Sequence, residues 1–410
     1  MIQRREQLKK IRKQDTYGYY ERLSHAREEG VPVVHCSAMG PGEIFYAMGI
    51  LPYFPENYVT ICAAKQQAGR FCEIAEKLGY SMDLCSYARA GIGMMMEEDG
   101  PLGPMPVPNV IVGNTLGCDP YTKWWEIEAR HYGVPLYIFD GPYNYSGKLH
   151  DYQVRYMARD LEKMVEFLEE HTGRRFEMDK LKEAIAYLDE THRLFQEVLD
   201  LRANVPCPIG LREMAGELYY LVVRAGTREA RDYYTLLRDE VRGRVESGQG
   251  ILFDEKFRLI YENIPLWYNL QLFDSLAEKG AVIAADSYTM MDWQNLYFAG
   301  LRMDPEQPFE SVAKKILFWW SNIGLETRIA QYLKVCRSHH IDGAILFSNR
   351  SCKMYSFGLH DMGRVMEENG IPTMTFEAEM ADPRSFNRVQ VETRIDAFLE
   401  VLAQHKAEPL

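Results

Sequence analysis

Short apolar runs that alternate with helical stretches, at both ends of the chain, restrict the fold more than any other feature of this sequence. The first run opens with Val33 and Val34 and reaches about Cys36, just after Pro32, a residue suited to a strand's first position. Val59 to Cys62 reads as a strand before a helix at about 64–78, and Asn109 to Val112 as one before a helix at about 120–132. Pro135 to Phe139 follows that helix. Strands joined through helices form βαβ units, and these make parallel sheets. The alternation stops near residue 151. Tyr156, Leu161, Met164, Val165, Phe167 and Leu168 form a helical stripe, and Leu181 to Val198 continues it. Beyond about 255 the runs return at Phe257 to Tyr261, Ala281 to Ala285, Ala344 to Phe347 and Pro372 to Phe376. Helices are predicted at about 324–338, 358–369 and 390–404. The expected architecture is therefore α/β, with two doubly wound parallel-sheet domains and a helical region between them. The predicted segments are an N-terminal helix over 1–30, an α/β domain over 31–150, helices over 151–250 and a second α/β domain over 251–410.

Charge excludes some functions. With 47 basic and 59 acidic residues the net charge is −12, and no basic stripe tracks phosphates. Nucleic acid and anionic membrane surfaces are therefore not expected partners. No stretch approaches 18 uninterrupted apolar residues, and Met1 to Lys13 lacks the apolar core of a secretory signal. A cytoplasmic protein is expected.

In that compartment the eight cysteines stay reduced. No Cys-x-x-Cys pair occurs, so a bound metal would draw its ligands from distant loops. Cys62, Cys207 and Cys336 read as buried small hydrophobes. Cys85, Cys118 and Cys352 share a different context. Cys85 opens a helix after a turn, Cys118 lies between a strand and a helix, and Cys352 follows a strand. Ligands gather at the carboxyl ends of strands in open α/β sheets, and helix N-termini there stabilise thiolates. Two readings are open on spacing alone: three unrelated buried thiols, or three ligands of an iron–sulfur cluster. Three thiolates on a cubane would leave one iron open to substrate, like the open position of a catalytic metal.

Several segments in a fixed order carry a resemblance. They are Pro41-Gly-Glu-Ile-Phe-Tyr-Ala-Met-Gly-Ile-Leu-Pro52, Leu84-Cys-Ser-Tyr-Ala-Arg89, Cys118-Asp119 with Lys123-Trp124, and Gly133-Val-Pro135 with Asp140-Gly-Pro142. Ser351-Cys352, Gly370-Ile-Pro372, Met380-Ala-Asp382 and Thr393 to Phe398 complete the set. Over roughly residues 30–145 and 325–404 the chain resembles the benzoyl-CoA reductase and 2-hydroxyacyl-CoA dehydratase family. Cys-Ser-Tyr-Ala-Arg and Lys-Trp look most like the benzoyl-CoA reductase branch. Glu379 departs from the aspartate expected there, which leaves Asp382 as the better match. The resemblance implies a [4Fe–4S] cluster on Cys85, Cys118 and Cys352, and a homologous cluster-binding subunit as partner. It also implies an ATP-hydrolysing iron–sulfur activator fed by ferredoxin. The implied reaction is reduction of an aromatic acyl-CoA thioester to a cyclic diene; in the dehydratase branch water is eliminated from a 2-hydroxyacyl-CoA instead. The chain lacks a G-x-x-x-x-G-K-[ST] loop, in keeping with an ATPase on another chain.

Other residues have two readings each. Glu43, in the family's Pro-x-Glu motif, is a candidate proton donor or base, or a first-turn carboxylate that complements a helix dipole. His35 and Ser37 flank Cys36 at a strand end and are further catalytic candidates, or hydrogen-bonded core groups. Arg89 and Lys123 either neutralise the cofactor region and CoA phosphates or are ordinary helix cations. Trp124, with Trp125, is expected to shield the cluster from water. Cys36 and Cys72 are candidate extra ligands for a double-cubane cluster, as in some relatives. The His339-His340 pair and the Met94 to Met96 run read as structural.

Overall fold

The computed structural model describes residues 2–407. Helix α1 (Ile2–His25) leads into the first sheet, formed by β1 (Val33–Cys36), β2 (Leu51–Tyr53), β3 (Val110–Asn114) and β4 (Leu136–Phe139). Helices α2 (Gly42–Ala47), α3 (Pro55–Ala64), α4 (Ala68–Lys77), α5 (Ser86–Glu97) and α6 (Asp119–Tyr132) connect its strands. The helical region holds α7 (Asp151–Thr172), α8 (Met178–Leu201), α9 (Leu211–Glu217), α10 (Tyr219–Val222) and α11 (Arg228–Glu246). The second sheet comprises β5 (Phe257–Glu262), β6 (Ala281–Asp286), β7 (Gly343–Asn349) and β8 (Thr373–Ala378). With it run α12 (Gln271–Glu278), α13 (Trp293–Phe298), α14 (Pro308–Leu317), α15 (Leu325–Ser338), α16 (Lys353–Ser356), α17 (Leu359–Glu368) and α18 (Arg388–Ala407).

Both sheets are parallel throughout, and both have one topology. The orders are β2-β1-β3-β4 and β6-β5-β7-β8. In each, the chain places its second strand on one side of the first and its third on the other. The topological switch points therefore lie between β1 and β3 and between β5 and β7, where ligands of open α/β sheets bind. The expected α/β class with two parallel sheets is what the chain forms. Buried apolar residues from Leu8 to Leu402 nevertheless join one continuous core, because α14 packs on α7 and α13 on α8.

Val59 to Cys62 is not a strand. It lies in α3, which Pro55 opens at a position where a missing N–H is harmless. Tyr58, Val59, Cys62 and Ala63 are buried at helical spacing. A short apolar run is compatible with either element, and here the 3.6-residue period prevails. The strand is instead Leu51–Tyr53, an edge strand that tolerates Pro52. The helix expected at 64–78 is correspondingly shortened to α4. Its close approach to α5 depends on Gly93, where a Cβ would stand 2.1 Å from the Phe71 carbonyl oxygen.

His339, at the end of α15, is buried between the Ser338 hydroxyl (2.9 Å) and the Leu199 carbonyl (3.3 Å). Burial, helped by Arg202 and Arg258, lowers its pKa to about 4. An unfolded histidine takes its proton near pH ~6.5, so the unfolded state binds more protons between these values. Stability is then fully present above ~6.5 and declines as pH falls toward 4, by roughly 3 kcal/mol from this residue. Denaturant titrations across that window check this: His339→Gln should flatten the decline.

Candidate functional site

Each of the three grouped cysteines caps a helix N-terminus. Cys85 is the N-cap of α5, Cys118 of α6 and Cys352 of the single turn α16. Pro120 and Asp119 in the first turn of α6 favour a helix start just after Cys118. The backbone amides of Tyr87 and Ala88 favour a thiolate at Cys85, and that of Tyr121 favours one at Cys118. These loops come from both sheets, yet the sulfurs sense one another. The Cys118 thiol is pushed well above its ordinary range first by burial, then by the charges of Cys85 and Cys352. Burial also raises Cys85, to about 11.

Among the described residues, no group of three His, Cys, Asp or Glu side chains closes around a single metal ion. A cubane makes no such demand, because each thiolate binds a different iron across the cluster. Thiolates at Cys85, Cys118 and Cys352 would repel one another, and the backbone amides near Cys85 and Cys118 only partly offset this, so the three form a donor set that a cationic iron core would neutralise. The residues present fit such a group.

The two halves of this set are fastened together. The Ser86 amide donates to the Ser351 hydroxyl at 3.2 Å, and that hydroxyl donates to Glu379. Arg89, 1% exposed, donates to the Leu84 carbonyl at 2.8 Å, to Asp382 at 3.1 Å and to Glu76. Arg384 pairs with the same two carboxylates. Arg89 thus ties α5 and α4 to the loop after β8.

The other sequence candidates fall in several places. Glu43 is fully buried, and both its oxygens accept from Lys315 of α14, at 2.6 and 2.7 Å. His35 is buried with Nδ1 2.8 Å from Glu128 and Nε2 2.8 Å from the Pro106 carbonyl, so both ring nitrogens are engaged. The Ser37 hydroxyl accepts from the Met39 amide and stands near Glu56. Lys123 is exposed on α6 and holds Glu126 at 3.0 Å. Trp124 and Trp125 stack at 5.1 Å under α6; a Cβ on Gly91 or Gly113 would strike their rings at 2.4 and 2.5 Å. The Cys36 sulfur lies against Gly40, and the Cys72 thiol donates to the Ser86 carbonyl at 3.6 Å. Met94 and Met95 are buried and Met96 is exposed.

A cleft of about 480 Å³ opens between the first sheet, the helical region and the second sheet. Tyr87, Trp267, Tyr288 and Trp293 line it, together with Glu56, Arg5, Arg12 and Arg212. Glu56 has no sequence motif of its own: beside Pro55 it reads as a first-turn carboxylate. In the structure it is buried, with one oxygen accepting from the Ala38 amide at 3.1 Å. Burial raises its pKa to about 7, against the opposing pull of the Tyr121 and Ser37 hydroxyls nearby. Its charge in turn opposes ionisation of Cys118. The arrangement puts a carboxyl able to give or take a proton near neutrality between an aromatic cleft and the grouped thiols.

Residues 37–402 match the family model of the 2-hydroxyglutaryl-CoA dehydratase D-component. The chain belongs to this family. It is similar to one of the subunits of the benzoyl-CoA reductase of Thauera aromatica, 30% identical over 95% of this chain and 93% of that one. It is also similar to the (R)-phenyllactyl-CoA dehydratase alpha subunit of Clostridium sporogenes, 28% identical over 93% and 92%. The (R)-2-hydroxyisocaproyl-CoA dehydratase alpha subunit of Clostridioides difficile is 28% identical over 94% of each chain. Family members are thus subunits of reductases and dehydratases of acyl-CoA thioesters, as the sequence resemblance implied. No described helix is long and apolar enough to cross a membrane.

Proposed function

We propose that this chain is the cluster-bearing subunit of an ATP-dependent reductase of an aromatic acyl-CoA thioester. The reading is supported by the electrostatic effect of Cys85 and Cys352 on Cys118, and by the aromatic cleft lined by Tyr87, two residues beyond Cys85. The three thiolates would hold a [4Fe–4S] cluster, which when bound supplies low-potential electrons and a Lewis-acidic iron. Tyr87, Trp267 and Tyr288 would pack against the flat acyl group and exclude water. Glu56 would give or take the proton that accompanies reduction. A homologous cluster-binding subunit and an ATP-hydrolysing iron–sulfur activator fed by ferredoxin complete the proposed system.

A second reading, a 2-hydroxyacyl-CoA dehydratase subunit, is favoured by the likeness to the phenyllactyl-CoA enzyme, whose named substrate also bears an aromatic ring. Incubating the reduced, activated complex with benzoyl-CoA and separately with a 2-hydroxyacyl-CoA tells the readings apart. Diene formation from benzoyl-CoA supports the first, and turnover of the hydroxyacyl thioester alone overturns it.

Glu56→Gln keeps the size of the side chain and removes its proton transfer. Turnover should fall about 100-fold with iron content unchanged. Unaltered turnover would remove Glu56 from the chemistry.

A further inference from the structure

The described structure contains a second large cleft, of about 610 Å³. It lies at the carboxyl end of β4, between the loop at Asp140 and α7. Arg155, Arg159 and Lys163 of α7 line it, at steps of four residues, so all three project from one face of the helix. Tyr152 and Tyr156 stand beside them, 61% and 53% exposed.

These cations have no carboxylate of their own to neutralise, whereas many arginines of this acidic chain do: Arg70 holds Asp99, Arg238 holds Glu197 and Arg302 holds Asp189. Arg155, Arg159 and Lys163 enter no hydrogen bond or ion pair among the described residues. The two acids of the groove do not serve them. Asp160 accepts from the Tyr137 hydroxyl (2.9 Å) and the Asp140 amide (2.9 Å). Asp140 accepts from the Tyr156 hydroxyl (3.2 Å) and from Thr115. These bonds fix the floor of the groove and the Tyr156 ring, and leave the cations facing open space.

We propose that this groove binds a nucleotide through its phosphates, with the base against the tyrosines. Three convergent cations suit a diphosphate or a cluster of phosphates. Exposed aromatic rings offer faces on which a base stacks, a contact worth about 1–3 kcal/mol. The volume falls in the usual range for small-molecule sites. Two sources share this chemistry: a free nucleotide, or the nucleotide end of coenzyme A. The second source rests on the function proposed above; nucleotide binding itself does not, because it requires no cluster.

The test uses the full chain under anaerobic conditions, titrated with ADP, coenzyme A and inorganic phosphate by calorimetry at two salt concentrations. Both nucleotides should bind more tightly than phosphate, and more weakly at the higher salt. Arg159→Glu and Lys163→Glu should each weaken ADP binding at least tenfold, whereas Arg364→Glu, an exposed control on α17, should not alter it. Coenzyme A tighter than ADP, with both lost together in Arg159→Glu, identifies the coenzyme as the source. Equal affinity identifies a free nucleotide. Binding no tighter than that of phosphate, or binding that survives the α7 substitutions, overturns the proposal. So does a result in which those substitutions affect only association with another protein. Iron-free protein should bind ADP as the wild type does, so failure here and failure of the cluster assignment are separate outcomes.

Discussion

Cys118→Ala should abolish or severely deplete bound iron. Cys118 stands at the N-cap position of α6 and feels both Cys85 and Cys352. Alanine leaves the helix start intact but would remove one of the three proposed cluster ligands, and the remaining two would hold a cubane too weakly to retain it. Cys207→Ala is the matched control. Its thiol donates to the Ile209 carbonyl at 3.3 Å in a separate small apolar cluster with Val282 and Ala284. That variant should keep its full iron. Anaerobic iron and sulfide analysis of the two proteins, with circular dichroism to verify folding, checks the pair; equal iron in both would refute the ligand assignment.

Lys315→Met should destabilise the protein by about 3–5 kcal/mol. Lys315 is the only cation bonded to Glu43 in the described structure, and Glu43 has no exposure to water. Methionine fills the space of the lysine stem but strands a carboxylate between α2 and α14. Replacing both members, as in Glu43→Gln with Lys315→Met, removes the stranded charge and should recover much of the loss. Denaturant unfolding at matched iron content provides the measurement. A loss below about 1 kcal/mol for the single variant would show that water or another group solvates Glu43. The same variants separate the two readings of Glu43. A stable but inactive Glu43→Gln supports a proton-transfer role, and a merely less stable one supports the first-turn ion pair.

The parallel sheets were legible because their strands are buried on both faces and written as unbroken apolar runs, such as Val110 to Val112 and Ala281 to Ala285. Val59 to Cys62 misled for the same reason: apolar content does not specify period when the run is four residues long. The edge strand at Leu51 to Tyr53 was hidden by its brevity and by Pro52. The cysteines stood out because each borders a helix start. Their setting did not, since it is made by contacts remote in sequence: Lys315 with Glu43, Asp382 with Arg89, and Ser351 with Ser86. Glu56 was missed because its first-turn position looks ordinary. Its importance arises from burial beside the Cys118 region, which only the packing of α3 creates. The charges of α7 read as a solvated face and Tyr156 as part of the apolar stripe, yet Tyr156 is 53% exposed beside the cations; their significance is that the carboxylates beside them are already bonded elsewhere.

The central claim is that thiolates from both sheets meet to grip one cubane with an iron left free. Mössbauer spectroscopy of the anaerobically purified, iron-57-enriched wild-type chain tests it most directly. About four iron atoms per chain are expected, with one spectroscopically distinct site that shifts when the acyl-CoA substrate is added. A colourless preparation without iron or sulfide would contradict the account, as would a cluster whose irons all remain equivalent with substrate present.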